Sequence, residues 1–317
     1  MPHTTSEGVL AIRKLKLLLG LTLAFTMLSS CVGASPGANS GAALENNNSS
    51  QPADTSLDAS QEAAENSEQP ADTDSGASQD DWGLLKPGVL QVGCEIGYPP
   101  FEYFSDDGVT PVGVDIDLGD AIAAELGVSV ERIDTAWDGI FAGLAAKKYD
   151  VIISAVTINA ERMENMDFSM PYIENWQSIV IKKGGSTIAE VKDLDGKNVA
   201  YQDATTSDEY LDDLINTGVL NCERFEYAKV MNCFDDLNLG RVDAVLCDST
   251  VADGYIAREP DKFEISWLQS SEPDSEPETF GIAIKKGNEK LLNAINDALK
   301  KLDESGKLDE IRTNWFS

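Results

Sequence analysis

From residue 89 onwards, short apolar runs alternate with amphipathic stretches. Val89-Leu90-Gln91-Val92-Gly93 reads as a first strand. A turn follows at Asp106-Asp107-Gly108, and then an amphipathic helix over 118–126. Residues 128–133 give the next strand, and Trp137-Asp138-Gly139-Ile140 opens a helix running to 146. Val151-Ile152-Ile153 is continuous and β-branched, as a strand covered on both faces reads. Strand, helix, strand, helix, strand predicts a parallel α/β layer. An outgoing strand at 177–183 leads to a second set with the same grammar, with strands at 197–201, 222–226 and 243–247 and helices at 207–217, 229–239 and 251–259. The run Phe280-Gly281-Ile282-Ala283-Ile284-Lys285-Lys286 is a near match to Ile179-Val180-Ile181-Lys182-Lys183. Two similar strands bracketing the second set predict a paired crossover between two lobes. The first lobe is then discontinuous, 82–181 plus 279–317, and the second spans 182–278. A helix at 288–304 and a short amphipathic end at 308–316 close the chain.

The segments upstream have a different character. Arg13, Lys14 and Lys16 precede the apolar run LLLGLTLAFTML, the layout of an export signal over residues 1–31. The run is short for a membrane-spanning helix. It ends in Leu28-Ser29-Ser30-Cys31, which resembles the lipobox of bacterial lipoproteins, in which the cysteine is acylated and becomes the first residue. Residues 32–81 contain no Lys or Arg and ten acidic residues, with QPADT at Gln51 and again at Gln69. Such a stretch buries too little apolar surface to offset its ordering entropy, so it is expected to be a disordered tether. Self-repulsion would keep it extended.

Charge and composition narrow the function classes. The chain of 317 residues is long enough for two lobes and carries a formal net charge of −31. That field opposes nucleic acid and anionic lipid as partners. The only histidine is His3, inside the expected signal. A mature chain without histidine excludes histidine-dependent nucleophilic catalysis and histidine-ligated metal sites, and no metal or cofactor is expected.

Candidate chemistry concentrates at 150–172, DVIISAVTINAERMENMDFSMPY. Past the apolar strand, small and hydroxyl side chains take over at Ser154, Ala155 and Thr157, and Arg162 follows. The carboxyl end of a strand in an open α/β sheet is where ligands bind. A small residue there lets a ligand approach the backbone, while a hydroxyl and a guanidinium can hold a carboxylate.

The segments YPPFEY, GVDIDL, WDGIFAGLAAKKYDVIIS, TINAER, DFSMPY, QSIVIKK, DLDGKNVA, DAVLCD and FGIAIKK, in that order, resemble the polar amino-acid-binding proteins of ABC importers, solute-binding family 3, from Leu84 to the C-terminus. The resemblance implies an α/β fold of two Rossmann-like lobes joined by two crossover strands, the type II periplasmic-binding-protein fold. It also implies a free amino acid as ligand, a cognate permease and ATPase as partners, and a monomer anchored outside the cytoplasm through Cys31. In that family Arg162 would take the ligand α-carboxylate, with Thr157, the backbone at Ala155, and Thr205 and Thr206 at a helix start assisting. Asp248 would take the α-ammonium, and Tyr98 and Trp137 would sandwich the side chain. Glu95 occupies the position of an acid facing the ligand side chain, which suits a basic amino acid, although cystine binders also carry glutamate there. Gln202 and Cys247 would line the same pocket. Ala204 stands where the family often has glycine.

The resemblance leaves two other functions to weigh. One is a dehydratase-like enzyme on the same fold, with Glu95 or Glu102 as acid or base. The other is a component that presents ligand to a separate receptor. Among the remaining cysteines, Cys222 and Cys233 lie on an adjacent strand and helix, where a bridge could form, and the sequence leaves their disulfide state open. Cys94 and Cys247 are expected as buried thiols.

Overall fold

Two five-stranded sheets flanked by helices build the protein, which is a computed structural model describing residues 82–185 and 187–316. The expected signal, Cys31 and the acidic linker lie outside the described residues. The first lobe opens with β1 (Val89–Cys94), a small hairpin of β2 (Tyr103–Phe104) and β3 (Pro111–Val112), and α1 (Val114–Leu126). It continues through β4 (Ser129–Asp134), α2 (Trp137–Ala145), β5 (Val151–Ile152), α3 (Ala160–Asn165) and β6 (Met166–Phe168). After β7 (Ile173–Asn175), the second lobe holds β8 (Gln177–Lys182), β9 (Asn198–Gln202), α4 (Thr206–Asn216) and β10 (Glu223–Tyr227). It then adds α5 (Val230–Leu239), β11 (Ala244–Asp248), α6 (Ser249–Arg258) and β12 (Phe263–Leu268). The chain returns by β13 (Glu278–Phe280) to β14 (Ala283–Lys285), α7 (Glu289–Glu304) and α8 (Lys307–Phe316) in the first lobe.

The first sheet runs β4-β1-β5-β14-β6 and the second β10-β9-β11-β8-β12. In each, three adjacent strands are parallel, β4-β1-β5 and β10-β9-β11, whereas the strands arriving from the other lobe, β14 and β8, are antiparallel to their neighbours. The link between lobes is the short antiparallel pair β7–β13, with Glu278 opposite Asn175 and Phe280 opposite Ile173.

This corrects the expected crossover. Residues 177–183 do not cross: β8 is an interior strand of the second sheet, buried from Gln177 to Ile181. Continuous burial suits a strand covered on both faces. The lobe boundary drawn at 181 therefore falls inside a second-lobe strand. The run expected as one strand at 280–286 likewise splits, β13 crossing and β14 joining the first sheet.

Helix α1 begins at Val114, ahead of the expected 118. Gly113 has φ +137°, and a Cβ there would lie 2.0 Å from the Phe101 carbonyl oxygen. The chain folds back on itself at this point, and the N–H groups of Val114 and Asp115 donate to the Pro100 and Phe101 carbonyls, each at 3.0 Å. That early start brings Asp115 under the strand end at Ala155.

The apolar core is in three parts. Trp137, Ile140, Leu144 and Ile152 pack α2 onto the first sheet, and Val199, Leu211, Leu246 and Trp267 pack one face of the second. A third cluster runs from Leu90, Leu118 and Leu299 to Phe234, Val245 and Val251, joining the lobes. Cys222 packs against the second cluster and Cys233 is buried in the third. They belong to different cores, and all four cysteines from Cys94 to Cys247 are free thiols, so Cys222 and Cys233 are not bridged. Cys94 and Cys247 are buried, as expected.

Candidate functional site

A narrow, nearly closed cavity lies between the lobes at the carboxyl ends of β1, β5, β9 and β11. Ten of the eleven pocket residues named from the sequence border it. Glu95, Tyr98, Trp137, Ala155, Thr157 and Arg162 come from the first lobe, and Gln202, Thr205, Thr206 and Asp248 from the second. Glu102 and Ser154 complete the lining; Cys247 is buried beside it and does not line it.

One end is built for an anion. Asn159 caps α3 by accepting the Arg162 N–H at 2.8 Å, which fixes the turn from which the guanidinium projects. Arg162 is 7% exposed and donates to the Thr157 carbonyl at 3.0 Å. Its guanidinium stands 5.5 Å from the Trp137 ring centroid and 5.1 Å from that of Phe141. It forms no ion pair among the described residues. Burial lowers its pKa, and the fields of Glu209, Asp248 and Glu278 counter that shift. A buried guanidinium with most of its donors unused favours an incoming carboxylate. Across the cavity Thr205 is the N-cap of α4, accepting from the Asp208 N–H and donating to the Gln202 carbonyl at 2.8 Å. The first N–H groups of α4 have no partner within the helix and add to the same positive end.

The Ala155 N–H donates to Asp115 at 2.6 Å, so that donor is already engaged. Ala155 and Ala204 both adopt left-handed backbone, with φ of +47° and +55°. The second is the position where glycine was expected, and it matches glycine in conformation though not in residue. The Ala204 carbonyl accepts from the Trp137 indole N–H at 2.9 Å, a direct tie between lobes. The cation over the Trp137 ring is Arg162, a contact the sequence reading did not include.

A second part of the lining carries negative charge. Asp248 occupies the N-cap position of α6 but makes no capping bond there. Its Oδ2 accepts from the Tyr98 hydroxyl at 2.5 Å, and its Oδ1 accepts from Asn175 at 2.7 Å and Gln177 at 3.2 Å. Burial raises its pKa, and these hydrogen bonds oppose the rise. Thr206 donates to Glu278 at 3.2 Å, a second acid that the sequence reading missed.

On the remaining wall, Gln202 Nε2 donates to Glu95 Oε2 at 2.7 Å and to the Ala228 carbonyl at 3.1 Å. Glu95 Oε1 and Gln202 Oε1 are buried without a partner. Burial raises the Glu95 pKa, while Gln202 and Lys229 hold it down. Behind them the Glu95 N–H donates to Ser154 Oγ at 3.0 Å, and that hydroxyl donates to Glu102 at 2.5 Å. Glu102 and Asp115 face each other as a buried acid pair. Burial and the Asp115 charge push Glu102 well up, and burial pushes Asp115 up to about 6. Glu102 is held beside Asp115 by the Ser154 hydroxyl and serves the frame of the site.

The family model for bacterial extracellular solute-binding proteins, family 3, matches residues 90–317. The chain belongs to this family. Its fold is the type II periplasmic-binding-protein fold, and its place is outside the cytoplasm. The L-cystine-binding protein TcyJ of Escherichia coli is 35% identical over 241 residues, 74% of this chain and 87% of that protein. An L-arginine-binding protein of Pseudomonas aeruginosa is 30% identical over 230 residues, 72% of this chain and 88% of that protein. The solved structure of an ancestral arginine-binding protein bound to arginine superposes with a TM-score of 0.67 at 38% identity, covering 73% of this chain and 99% of that one. These relatives are named as binding proteins rather than as enzymes.

Within this family-3 chain, sequence reasoning missed the residues around Asp248, and Asp115 behind Glu95 and Glu102. Asn175 and Gln177 flank the crossover, and their contacts depend on which strand crosses. Glu278 sits in the stretch SSEPDSEPE, whose composition reads as loop.

Proposed function

We propose that the protein is the substrate-binding component of an ABC importer and captures a polar amino acid by closure of its lobes, with a basic amino acid favoured. Arg162, Thr157 and the start of α4 at Thr205 and Thr206 would hold the α-carboxylate, and Asp248 the α-ammonium. These groups stand on opposite lobes, so a zwitterion gains both partners only when the lobes are together. Trp137 and Tyr98 would flank the side chain.

The observation that carries the side-chain assignment is the pair of unpartnered buried acceptors, Glu95 Oε1 and Gln202 Oε1. A buried carboxylate oxygen and amide oxygen without donors favour a ligand group rich in N–H and positively charged. Cystine and glutamine are the competing ligands, and relatives named for cystine and arginine bracket this choice. The rest of the proposal is delivery of the ligand to a cognate permease and ATPase by a monomer anchored through acylated Cys31.

A thermal-shift screen of the purified protein against the twenty amino acids, ornithine and cystine tests this reading. A ligand that binds only the folded state raises the melting temperature by mass action. A large shift with arginine, lysine, ornithine or histidine is expected. A shift with cystine or glutamine alone would overturn the basic side chain, and none at all would overturn amino-acid capture.

A further inference from the structure

Glu278 stands on the crossover strand β13, opposite Asn175 of β7. Its Oε2 accepts from Gln177 Nε2 at 3.0 Å, Thr206 Oγ1 at 3.2 Å and Asn175 Nδ2 at 3.3 Å. The same two amide groups serve Asp248 Oδ1, Asn175 at 2.7 Å and Gln177 at 3.2 Å. Asn175 thus divides its amide N–H donors between the two carboxylates, and Gln177 divides its own between the same two and the Thr206 hydroxyl at 3.2 Å. Neither acid forms an ion pair among the described residues. Buried Asp248 and half-buried Glu278 share neutral donors and have no cation in contact, Arg162 acting on them only through its field, and an ammonium supplies a direct positive partner together with further N–H groups.

We propose, on the amino-acid-binding reading above, that Glu278 is a positioning acid of the ammonium clamp, completing it with Asp248 through Asn175 and Gln177 and tying ligand capture to the crossover strands. The ammonium then acts on β7 and β13 directly, because Asn175 and Glu278 are themselves the paired residues of the link.

A proton accompanies the capture. Burial, then the Asp248 charge, push the Glu278 carboxyl up to about 7. The charged and titratable groups facing the pair are Arg162 from α3, Tyr98 through its bond to Asp248, the Cys247 thiol of β11, and Glu209 of α4, which faces Arg162. Asn175, Gln177 and Thr206 are neutral. The ammonium favours ionised Glu278, so its proton leaves to the buffer as the ligand enters.

Titration calorimetry with L-arginine, L-lysine, L-glutamine and L-cystine at about pH 6 and about pH 8 tests the proposal, on wild type and Glu278→Gln. Wild type should bind about tenfold tighter at the higher pH, the change expected as a group of pKa near 7 ionises. Glu278→Gln should match wild type at the lower pH and lack the gain at the higher one. A purely structural role would weaken binding equally at both. The variant's melting curve at about pH 6 checks that it is folded. A wild-type pH response retained in Glu278→Gln overturns the role of Glu278 alone. No heat with any of the four ligands overturns the clamp together with the amino-acid reading.

Discussion

Tyr98 and Asp248, 150 residues apart in the chain, meet at 2.5 Å across the cleft, hydroxyl to carboxylate. One belongs to the loop after β1 and the other to the end of β11, so the bond exists only while the lobes are together. The same carboxylate is the candidate ammonium acceptor. Lobe closure and ligand contact therefore converge on one side chain.

Tyr98→Phe removes that hydroxyl and leaves Asp248 Oδ2 short of a donor in the closed arrangement. Hydrogen bonds to charged groups contribute about 1.5–3 kcal/mol, so the ligand selected by the thermal-shift screen should bind about tenfold more weakly or worse. Small-angle scattering of the ligand-free variant should report a larger mean radius than wild type. Unchanged affinity and radius would show that the bond does not bias closure.

Arg162→Met separates binding from stability. The guanidinium is buried against Trp137 and Phe141 and holds only the Thr157 carbonyl. Replacing a buried, uncompensated charge by an apolar side chain of similar length is commonly neutral or stabilising. The ligand-free melting temperature should hold or rise, while affinity for any α-carboxylate ligand falls about a hundredfold. A fall in melting temperature with affinity preserved would make Arg162 structural.

The cavity was largely legible in the sequence because its residues follow strand ends. Glu95 and Tyr98 follow β1, Ala155 and Thr157 follow β5, Gln202 ends β9, and Asp248 ends β11. Apolar runs locate such ends well, and the ordered segments of the resemblance assigned the roles. The crossover was misread for the same reason: β8 and β14 are apolar and alike in sequence, whereas the strands that cross, Ile173-Glu174-Asn175 and Glu278-Thr279-Phe280, are short and partly polar. Helix α3 was hidden by its length of six residues, although Asn159 ahead of Ala160-Glu161 is a cap signal. Pairs such as Glu102 with Asp115 and Glu278 with Asp248 depend on tertiary proximity, which periodicity does not report.

The Glu102–Asp115 pair predicts a pH dependence of stability. Both pKa values are raised above those of the unfolded chain, Asp115 to about 6 and Glu102 well above its ordinary value, chiefly by burial. A raised carboxyl pKa means that the folded state keeps a proton the unfolded state releases. The stability is thus present in full at low pH and is lost as pH rises through about 6 and beyond. Glu102→Gln substitutes an amide that donates to Asp115 without a titrating proton. Its melting temperature should change less than that of wild type between about pH 5 and about pH 8, and should be the higher of the two at the alkaline end. Parallel melting curves would rule out the shared proton.

Gly254 offers a way to oppose closure without touching the cavity. It lies inside α6, where glycine costs about 1 kcal/mol relative to alanine. Yet a Cβ at this position would lie 2.8 Å from Pro100 Cδ and 3.0 Å from both Pro100 N and Pro99 O. Two of those atoms belong to the backbone of the first lobe, so the contact is not relieved by a side-chain rotation. Gly254→Ala should favour the helix wherever the lobes stand apart and clash where they meet. The expected result is a ligand-free melting temperature equal to or above wild type, with affinity for the screened ligand weakened and its dissociation accelerated in stopped-flow fluorescence. The five tryptophans of the chain, Trp137 among them at the interlobe bond to Ala204, supply the signal. If affinity is unchanged while the melting temperature rises, the Pro99-Pro100 loop yields to the added methyl, and this contact does not limit closure.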